Sequence, residues 1–340
     1  MSMSMSMSMR IGIAGAGAIG CTLAALLAKA GDAQSLSAPA VVSVLARGET
    51  LRALETGGVM LHRRGRQLQG RVIASDDAAQ LGAQDVLFVC AKSQDVVPIL
   101  AAARQMIDEK TVVVPLVNGV PFWFFQGQGT EWQGRAVQAV DQDGAILRSL
   151  PASQIVGAVT FVTAERTAPA VVVSDNPLLI VLGEIDHSPV SERIESIAAV
   201  LSHAGIEARC VATLRDTLWT KMLANLTSNP LSVISGATLH AIYSDPHLLP
   251  VVREMLGEGL ALAAAFGARI PFGPARFISE GAAMGMVRTS MLQDFLAGRP
   301  LELAAIGDAV LELARLHGMD MPVSARVIGL AHFRAAVPLS

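Results

Sequence analysis

The fold is decided by a short apolar strand that runs directly into a glycine-rich turn, Arg10-Ile-Gly-Ile-Ala-Gly15-Ala-Gly17-Ala-Ile-Gly20-Cys21. An alanine- and leucine-rich helix follows, from about Ala18 to Ala30. A strand, a G-x-G-x-x-G turn and a helix start in this order are typical of a dinucleotide-binding site. The alternative is a glycine-rich turn that binds nothing. We predict that the cofactor's phosphates contact Gly15, Ala16, Gly17, Ala18, Ile19 and Gly20.

Length and composition limit the possible classes of protein. A chain of 340 residues favours two domains. Hydrophobic residues make up 52% and charged residues 16%, which suits a large core and allows a homodimer interface. The net charge of −3, without a basic block, argues against a nucleic-acid partner. No apolar run reaches the roughly 18 uncharged residues that a membrane span needs.

Cysteine and histidine usage favours a cytoplasmic protein without a metal site. The three cysteines, Cys21, Cys90 and Cys210, are far apart in sequence, which favours a reducing cytoplasm over a disulfide framework. The seven histidines show no paired ligand spacing, so we predict no metal site.

The predicted secondary structure changes near residue 213. Up to that point short β-branched runs alternate with helical segments, which predicts a doubly wound parallel sheet with a few antiparallel additions. The predicted strands are Arg10–Ala14, Val41–Leu45, Val86–Cys90, Val112–Leu116, Val156–Val162, Ala170–Val173, Leu178–Leu182 and Glu207–Val211, with a helix at Val190–Ala204. Beyond it the clearest segments are helical, at Leu214–Leu226, Leu248–Phe266 and Leu301–His317.

These patterns predict an α/β fold with three parts. Residues 1–8 form a disordered Met-Ser extension, residues 9–212 a Rossmann-type dinucleotide-binding domain, and residues 213–340 an all-helical substrate and catalytic domain.

Arg47 indicates which dinucleotide binds. In the NAD-binding form of this fold a carboxylate after the second strand holds the ribose 2′-hydroxyl. Here Ala46-Arg47-Gly48 follows that strand, and a guanidinium suits a 2′-phosphate. We therefore predict NADP(H) over NAD(H). The alternative is a solvated loop arginine.

A lysine and two asparagines share one face of the first helix of the second domain. Lys221 and Asn225 are four residues apart, and Asn229 continues the row if the helix reaches Pro230. Hydride addition to a ketone creates an alkoxide, and a positioned ammonium supplies both a proton and positive charge. The alternative is a surface lysine on an amphipathic helix.

A second cluster lies in Ser290-Met-Leu-Gln-Asp294-Phe-Leu-Ala-Gly298-Arg299-Pro-Leu-Glu302. Ser290 with Gln293 has the pattern of a helix capping box. Glu302 falls after Pro300 in the first turn of the next predicted helix, where a carboxylate offsets the helix dipole. Because each residue has a structural explanation, the pattern leaves open whether Ser290 and Glu302 also belong to a functional site.

The chain resembles the ketopantoate reductase family, the NADPH-dependent 2-dehydropantoate 2-reductases, over nearly everything after Met9. The resemblance rests on the glycine turn, on Asn118-Gly119 after a strand, on W-x-K-x-x-x-N-x-x-x-N-P at Trp219–Pro230, and on S-M-x-x-D…G-R-x-x-E at Ser290–Glu302. It implies a Rossmann domain followed by a helical domain like that of 6-phosphogluconate dehydrogenase, and a place in pantothenate and coenzyme A synthesis.

The resemblance also implies roles on the substrate side. Lys221 would donate the proton to the ketone oxygen of a small 2-oxo acid. Asn225 and Asn229 would line the substrate site, and Ser290 would bind the substrate carboxylate. Glu302 would hold the substrate or the nicotinamide ribose.

Further roles are implied on the cofactor side. Asn118 would contact the nicotinamide end of NADP(H) and belong to the catalytic group. Lys92 matches a family lysine near the cofactor, and Ala164 falls where a backbone contact to NADP is expected.

Three departures from the family pattern concern the substrate. An aromatic run, Phe122-Trp-Phe-Phe125, follows Asn118, and with Trp132 it accounts for five of the 14 aromatic residues. It is either core packing or a pocket wall. Thr238-Leu239 stands where the well-known pantoate enzymes carry a substrate-contacting asparagine. Leu301 precedes Glu302 where the family more often has threonine.

These departures leave three hypotheses. The first is NADPH-dependent reduction of ketopantoate to pantoate. The second is reduction of a bulkier or aromatic 2-oxo acid, which the aromatic run motivates. The third is a non-catalytic NADP(H)-binding sensor, because a Rossmann domain alone does not imply catalysis.

Overall fold

The structure is a computed structural model that describes residues 9–32, 41–127, 129 and 131–337. The predicted Met-Ser extension at residues 1–8 lies outside the described residues. The chain divides into two compact units. The first comprises residues 1–117, 126–134 and 145–214, and the second comprises residues 118–125, 135–144 and 215–340.

The first unit contains all the strands of the described chain. In chain order they are β1 Arg10–Ala14, β2 Val41–Leu45, β3 Val59–Arg63, β4 Arg66–Gly70, β5 Ile73–Ser75, β6 Val86–Val89, β7 Val112–Pro115, β8 Val156–Thr160, β9 Glu165–Ala168, β10 Val171–Val173, β11 Leu179–Glu184 and β12 Glu207–Cys210. Its helices are α1 Ala18–Asp32, α2 Gly48–Gly57, α3 Ala78–Leu81, α4 Val96–Ala102, α5 Ala145–Ser149 and α6 Glu192–His203.

The central sheet is parallel, in the order β5-β2-β1-β6-β7. Its middle strands are apolar on both faces because helices cover a parallel sheet on both sides, and the successive residues Leu87 and Phe88 of β6, which point to opposite faces, are accordingly both buried. A three-stranded sheet, β12-β11-β8, adds the antiparallel pair β11 and β8, and a third sheet has the order β4-β3-β10-β9. The predicted α/β fold with a parallel sheet and a few antiparallel additions is confirmed.

Four strands are absent from the sequence prediction. Of these, β5 has three residues, and β4 and β9 read Arg-Gln-Leu-Gln-Gly and Glu-Arg-Thr-Ala, which lack the β-branched alternation that marks a strand. The fourth, β3, pairs with β4 and β10.

The regular secondary structure in the described residues of the second unit is entirely helical. Its helices are α7 Leu214–Ser235, α8 Leu239–Ser244, α9 Leu249–Ala265, α10 Pro274–Ala283, α11 Ser290–Leu296, α12 Ala309–Leu316 and α13 Pro322–Ala336, and a π-helical turn at Ala304–Asp308 leads into α12. None of the helices in the described part of the chain is long and apolar enough to cross a membrane.

The two units interleave in sequence, whereas the sequence predicts consecutive domains that meet at residues 212 and 213. Two segments inside the first predicted domain pack with the helices instead. The N–H of Val120 donates to the carbonyl of Ala305 at 2.9 Å, and the carboxylate of Glu312 accepts from the N–H groups of Gln138 and Ala139 at 2.9 and 3.0 Å. These bonds tie residues 118–125 and 135–144 to the π turn and to α12.

The glycine turn yields a prediction on stability. A Cβ atom at Gly20 would lie 2.0 Å from the carbonyl oxygen of Gly15, whereas one at Gly17 would meet no described atom within 4 Å. We expect Gly20→Ala to lower the free energy of unfolding by about 1–3 kcal/mol and Gly17→Ala to change it by less than about 0.5 kcal/mol. Chemical denaturation of both variants checks this, and equal effects would contradict it.

Candidate active site

The glycine turn has the geometry of a phosphate-binding loop. Gly15 has a φ of 108°, and a Cβ there would lie 2.4 Å from the carbonyl oxygen of Cys90. Close packing therefore explains why positions 15 and 20 require glycine. It does not explain Gly17, because a Cβ atom there would point into open space. That space fits a pyrophosphate at the start of α1, where the first N–H groups have no partner inside the helix.

Two of the predicted cofactor residues lie at the same edge of the central sheet. Ala14 at the end of β1 is in register with Leu45 of β2 and Val89 of β6. Arg47 follows Leu45 by two residues and is exposed, and Lys92 follows Val89 by three. Because the carboxyl ends of parallel strands meet at one edge, the structure brings both cations to the edge that holds the glycine turn. Ala164 lies between β8 and β9, and its cofactor contact stays a prediction.

Lys221 is held in the second unit by a hydrogen bond across 103 residues of sequence. Its Nζ atom donates to Oδ1 of Asn118 at 2.7 Å. The opposite face of α7 is buried, as the sequence predicts, and Trp219 is fully inaccessible. Desolvation lowers the pKa of Lys221 to about 8, and the negative charge of Glu302 opposes that decrease. An amine with this pKa can both hold and release a proton near neutral pH.

The predicted row of amides continues past Lys221, because α7 runs through Pro230 as far as Ser235. Asn229 is 3% exposed, and its Nδ2 atom donates to the Asn225 side chain at 3.2 Å. Its Oδ1 atom is buried and accepts no hydrogen bond from any described residue. An unsatisfied buried acceptor is costly, so this oxygen is suited to accept a bond from a ligand hydroxyl.

The capping-box assignment of Ser290 and Gln293 is wrong. The N-cap of α11 is Thr289, whose hydroxyl accepts from the N–H of Leu292 at 3.1 Å and pairs with Ser232 on α7 at 2.6 Å. Ser290 is exposed and begins the helix one residue later. Its hydroxyl is not the capping group, and the carboxylate-binding role implied for it stays a prediction.

The motif that ends at Glu302 divides into a structural part and a candidate functional part. Arg299 Nε donates to Asp294 Oδ1 at 2.7 Å, and the Arg299 N–H donates to the carbonyl of Asp294 at 2.9 Å, so this pair closes the turn after α11. Glu302 directly precedes the helical segment that begins at Leu303, and its carbonyl accepts the first helical hydrogen bond, from the N–H of Ile306 at 3.0 Å. Glu302 is 8% exposed, and its carboxylate acts electrostatically on Lys221.

The aromatic run at residues 122–125 is buried in the second unit. The ring of Phe124 makes edge contacts with Trp219 and Phe266, at centroid distances of 6.0 and 5.2 Å, and Phe125 also lies against Phe266. All four residues of the run are at most 4% exposed. The contacts of Phe124 and Phe125 are those of a packed core and favour the packing interpretation over the pocket wall.

Comparison with known proteins identifies the family. The family model described as Ketopantoate reductase PanE/ApbA matches residues 11–187, and its C-terminal counterpart matches residues 213–335. The chain belongs to the ketopantoate reductase family. Membership of this family makes it an oxidoreductase, so of the three hypotheses the non-catalytic sensor is the one that the comparisons do not support.

Relatives of the ketopantoate reductase family match over almost the whole chain. The 2-dehydropantoate 2-reductase of Mesorhizobium japonicum is 35% identical over 92% of this chain and 94% of its own. A structure from Ralstonia solanacearum MolK2, assigned as a ketopantoate reductase, is 35% identical with a TM-score of 0.89 over 96% and 98% of the two chains. The 2-dehydropantoate 2-reductase of Geobacter metallireducens GS-15 is 25% identical with a TM-score of 0.80 over 95% and 99%.

The influence of Glu302 on Lys221 yields a prediction on pH dependence. Removing the carboxylate in Glu302→Gln takes away a charge that raises the pKa of Lys221, so that pKa falls further below its ordinary value. The neutral, nucleophilic amine is then present at lower pH. The pH dependence of Lys221 acylation, followed by peptide mass spectrometry with exposed Lys110 as internal reference, should shift to lower pH.

The control for this measurement is Glu254→Gln, which removes an exposed carboxylate on α9. That variant should leave the acylation curve of Lys221 where it is in the wild type. An unshifted curve in Glu302→Gln would show that the two groups do not interact.

Proposed function

We propose that this member of the ketopantoate reductase family reduces 2-dehydropantoate to pantoate with NADPH. The observation that carries the proposal is the desolvated Lys221 ammonium, which donates to Asn118 and is influenced by Glu302. NADPH supplies a hydride when bound. The chain's own residues must then provide the proton, orient the 2-oxo acid and bind the cofactor's phosphates.

Lys221 is suited to be the proton donor. Reduction places negative charge on the former ketone oxygen, and an ammonium hydrogen-bonded to that oxygen stabilises the charge and then neutralises it. With a pKa of about 8, the amine is mostly protonated at neutral pH and gives up its proton more readily than an ordinary lysine. Asn118 holds the Nζ atom in place through its Oδ1 atom.

The remaining polar groups would orient the substrate. The buried Oδ1 atom of Asn229 can accept a hydrogen bond from a hydroxyl, such as the primary hydroxyl that 2-dehydropantoate carries and pantoate retains. Asn225 lies one turn away and is bonded to Asn229. Ser290, whose hydroxyl does not cap α11, would bind the carboxylate.

The choice of substrate rests on the relatives and on the aromatic run. The relative at 35% identity is named a 2-dehydropantoate 2-reductase. The second candidate, a bulkier or aromatic 2-oxo acid, depends on the aromatic run as the wall of a substrate pocket. The contacts of Phe124 and Phe125 with other core rings argue against that role. Ketopantoate is therefore the substrate we favour. The composition continues to predict a cytoplasmic protein and allows a homodimer.

The test of the catalytic role is Lys221→Ala. We expect kcat for ketopantoate reduction to fall by about 10²–10⁴-fold, because general acid catalysis typically contributes this much. NADPH binding should persist, since the glycine turn that would hold the phosphates is unchanged. Steady-state NADPH oxidation, run with ketopantoate and a panel of other 2-oxo acids, gives the rates, and nucleotide fluorescence gives the affinity.

The matched control is Lys110→Ala, which removes an exposed lysine of the first unit. An undiminished kcat in Lys221→Ala would rule out Lys221 as the donor. A panel in which another 2-oxo acid is clearly preferred would overturn ketopantoate while leaving the reaction class in place.

Specificity for NADPH is tested at Arg47. The exposed guanidinium just beyond β2 suits the 2′-phosphate through charge-assisted bonds. We expect Arg47→Ala to raise KM for NADPH by about 10- to 100-fold. The KM for NADH should stay within about twofold, because NADH lacks that phosphate and serves as the internal control. An equal loss for both nucleotides would contradict the assignment.

A further inference from the structure

An arginine on strand β9 has no role in the functions considered so far. Arg166 is exposed on the outer edge of the sheet β4-β3-β10-β9. Among the described residues, no carboxylate forms an ion pair with its guanidinium and no group forms a side-chain hydrogen bond with it. An unpaired guanidinium on an ordered strand is available to bind an anion.

The register of the sheet shows which way this side chain is directed. Arg166 is opposite Val172 of β10, Val172 is opposite Leu61 of β3, and Leu61 is opposite Leu68 of β4. Residues in register lie on the same face of a sheet. The three apolar members of this row pack in the core together with α1. Arg166 therefore lies on the face that covers α1, at the end of an otherwise apolar row.

The order of the strands allows Arg166 to lie near the start of α1. At the other edge of the sheet, a Cβ at Gly70 of β4 would touch Ala25 and Ala28, in the second half of α1. Three strand spacings from β4 to β9 amount to about 14 Å. Nine residues of helix rise about 13 Å. Since α1 contacts β4, β3 and β10, a helix whose start is directed toward β9 has its first turn level with the β9 edge, next to the glycine turn.

A second observation agrees with this position. Cys21 lies in the first turn of α1, and its Sγ atom donates to the carbonyl of Ala16 in the glycine turn at 3.4 Å. Burial raises the pKa of the Cys21 thiol to about 11, and the positive charge of Arg166 opposes that increase. Arg166 is therefore close enough to the glycine turn to act on a group that touches it.

We propose that Arg166 binds the pyrophosphate of the dinucleotide from the β9 side of the glycine turn. This inference rests on the proposed function, which requires a dinucleotide there. The turn and the helix start offer only N–H groups, whereas a pyrophosphate carries formal negative charge. A guanidinium adds charge and a bidentate pair of donors to that site.

The test is direct binding of NADPH and of NADH to the full-length chain, measured by calorimetry or nucleotide fluorescence. We expect Arg166→Gln to raise Kd for both nucleotides by about tenfold, because both carry the pyrophosphate. Arg166→Lys should stay within about threefold of wild type, since it keeps the charge. Higher salt should weaken wild-type binding more than that of Arg166→Gln.

The matched control is Arg66→Gln, which removes an exposed arginine from β4, the opposite edge of the same sheet. It should leave both Kd values within about twofold. Thermal unfolding of each variant separates lost binding from lost folding.

The outcomes distinguish this inference from the proposed function. Unchanged Kd values in a folded Arg166→Gln variant would overturn the inference alone. A loss confined to NADPH would also overturn it, because that result assigns Arg166 to the 2′-phosphate. If wild type binds neither nucleotide, the proposed function itself fails.

Discussion

The second unit is organised around the ammonium of Lys221, which is partly buried and loses much of its solvation. Moving a charged amine away from solvent costs free energy unless polar partners surround it. Asn118 supplies a hydrogen-bond acceptor at 2.7 Å, and Glu302 supplies negative charge. These three residues come from separate parts of the sequence, so the packing of those parts decides whether the amine is held correctly.

Aromatic packing explains how two of these parts are kept in place. Phe124 is six residues beyond Asn118, Trp219 is two residues before Lys221, and their rings meet edge to face. Phe266, at the end of α9, contacts both rings. The core formed by these rings fixes the segment of Asn118 against α7 and thereby fixes the donor against its acceptor. The aromatic run contributes to the site through the position of Asn118.

Local signals in the sequence account for the elements that were predicted correctly. Buried parallel strands such as β1 and β2 are mostly apolar and contain the β-branched residues Ile and Val, and the apolar residues on the face of α7 opposite Lys221 repeat with helical spacing. The edge strands β4 and β9 carry mostly polar residues, so their pairing depends on neighbours and leaves no local pattern.

The interleaving of the two units could not be predicted from local sequence patterns either. It depends on contacts such as Asn118 with Lys221 and Gln138 with Glu312, whose partners are 103 and 174 residues apart. The motifs could name Asn118, Lys221 and Glu302 as members of one site. They could not indicate that Asn118 accepts the hydrogen bond of Lys221, or that Thr289 and not Ser290 caps α11.

One backbone contact links both partners of Lys221. The N–H of Val120, two residues after Asn118, donates to the carbonyl of Ala305, three residues after Glu302. Gly119 has a φ of 80°, and a Cβ there would lie 2.5 Å from that same carbonyl oxygen, so only glycine allows the approach. Ala305 lies in the π-helical turn, a local distortion that is common at functional sites. This contact therefore joins the segment of the hydrogen-bond acceptor to the segment of the carboxylate, and a shift at Gly119 would affect both groups that act on Lys221.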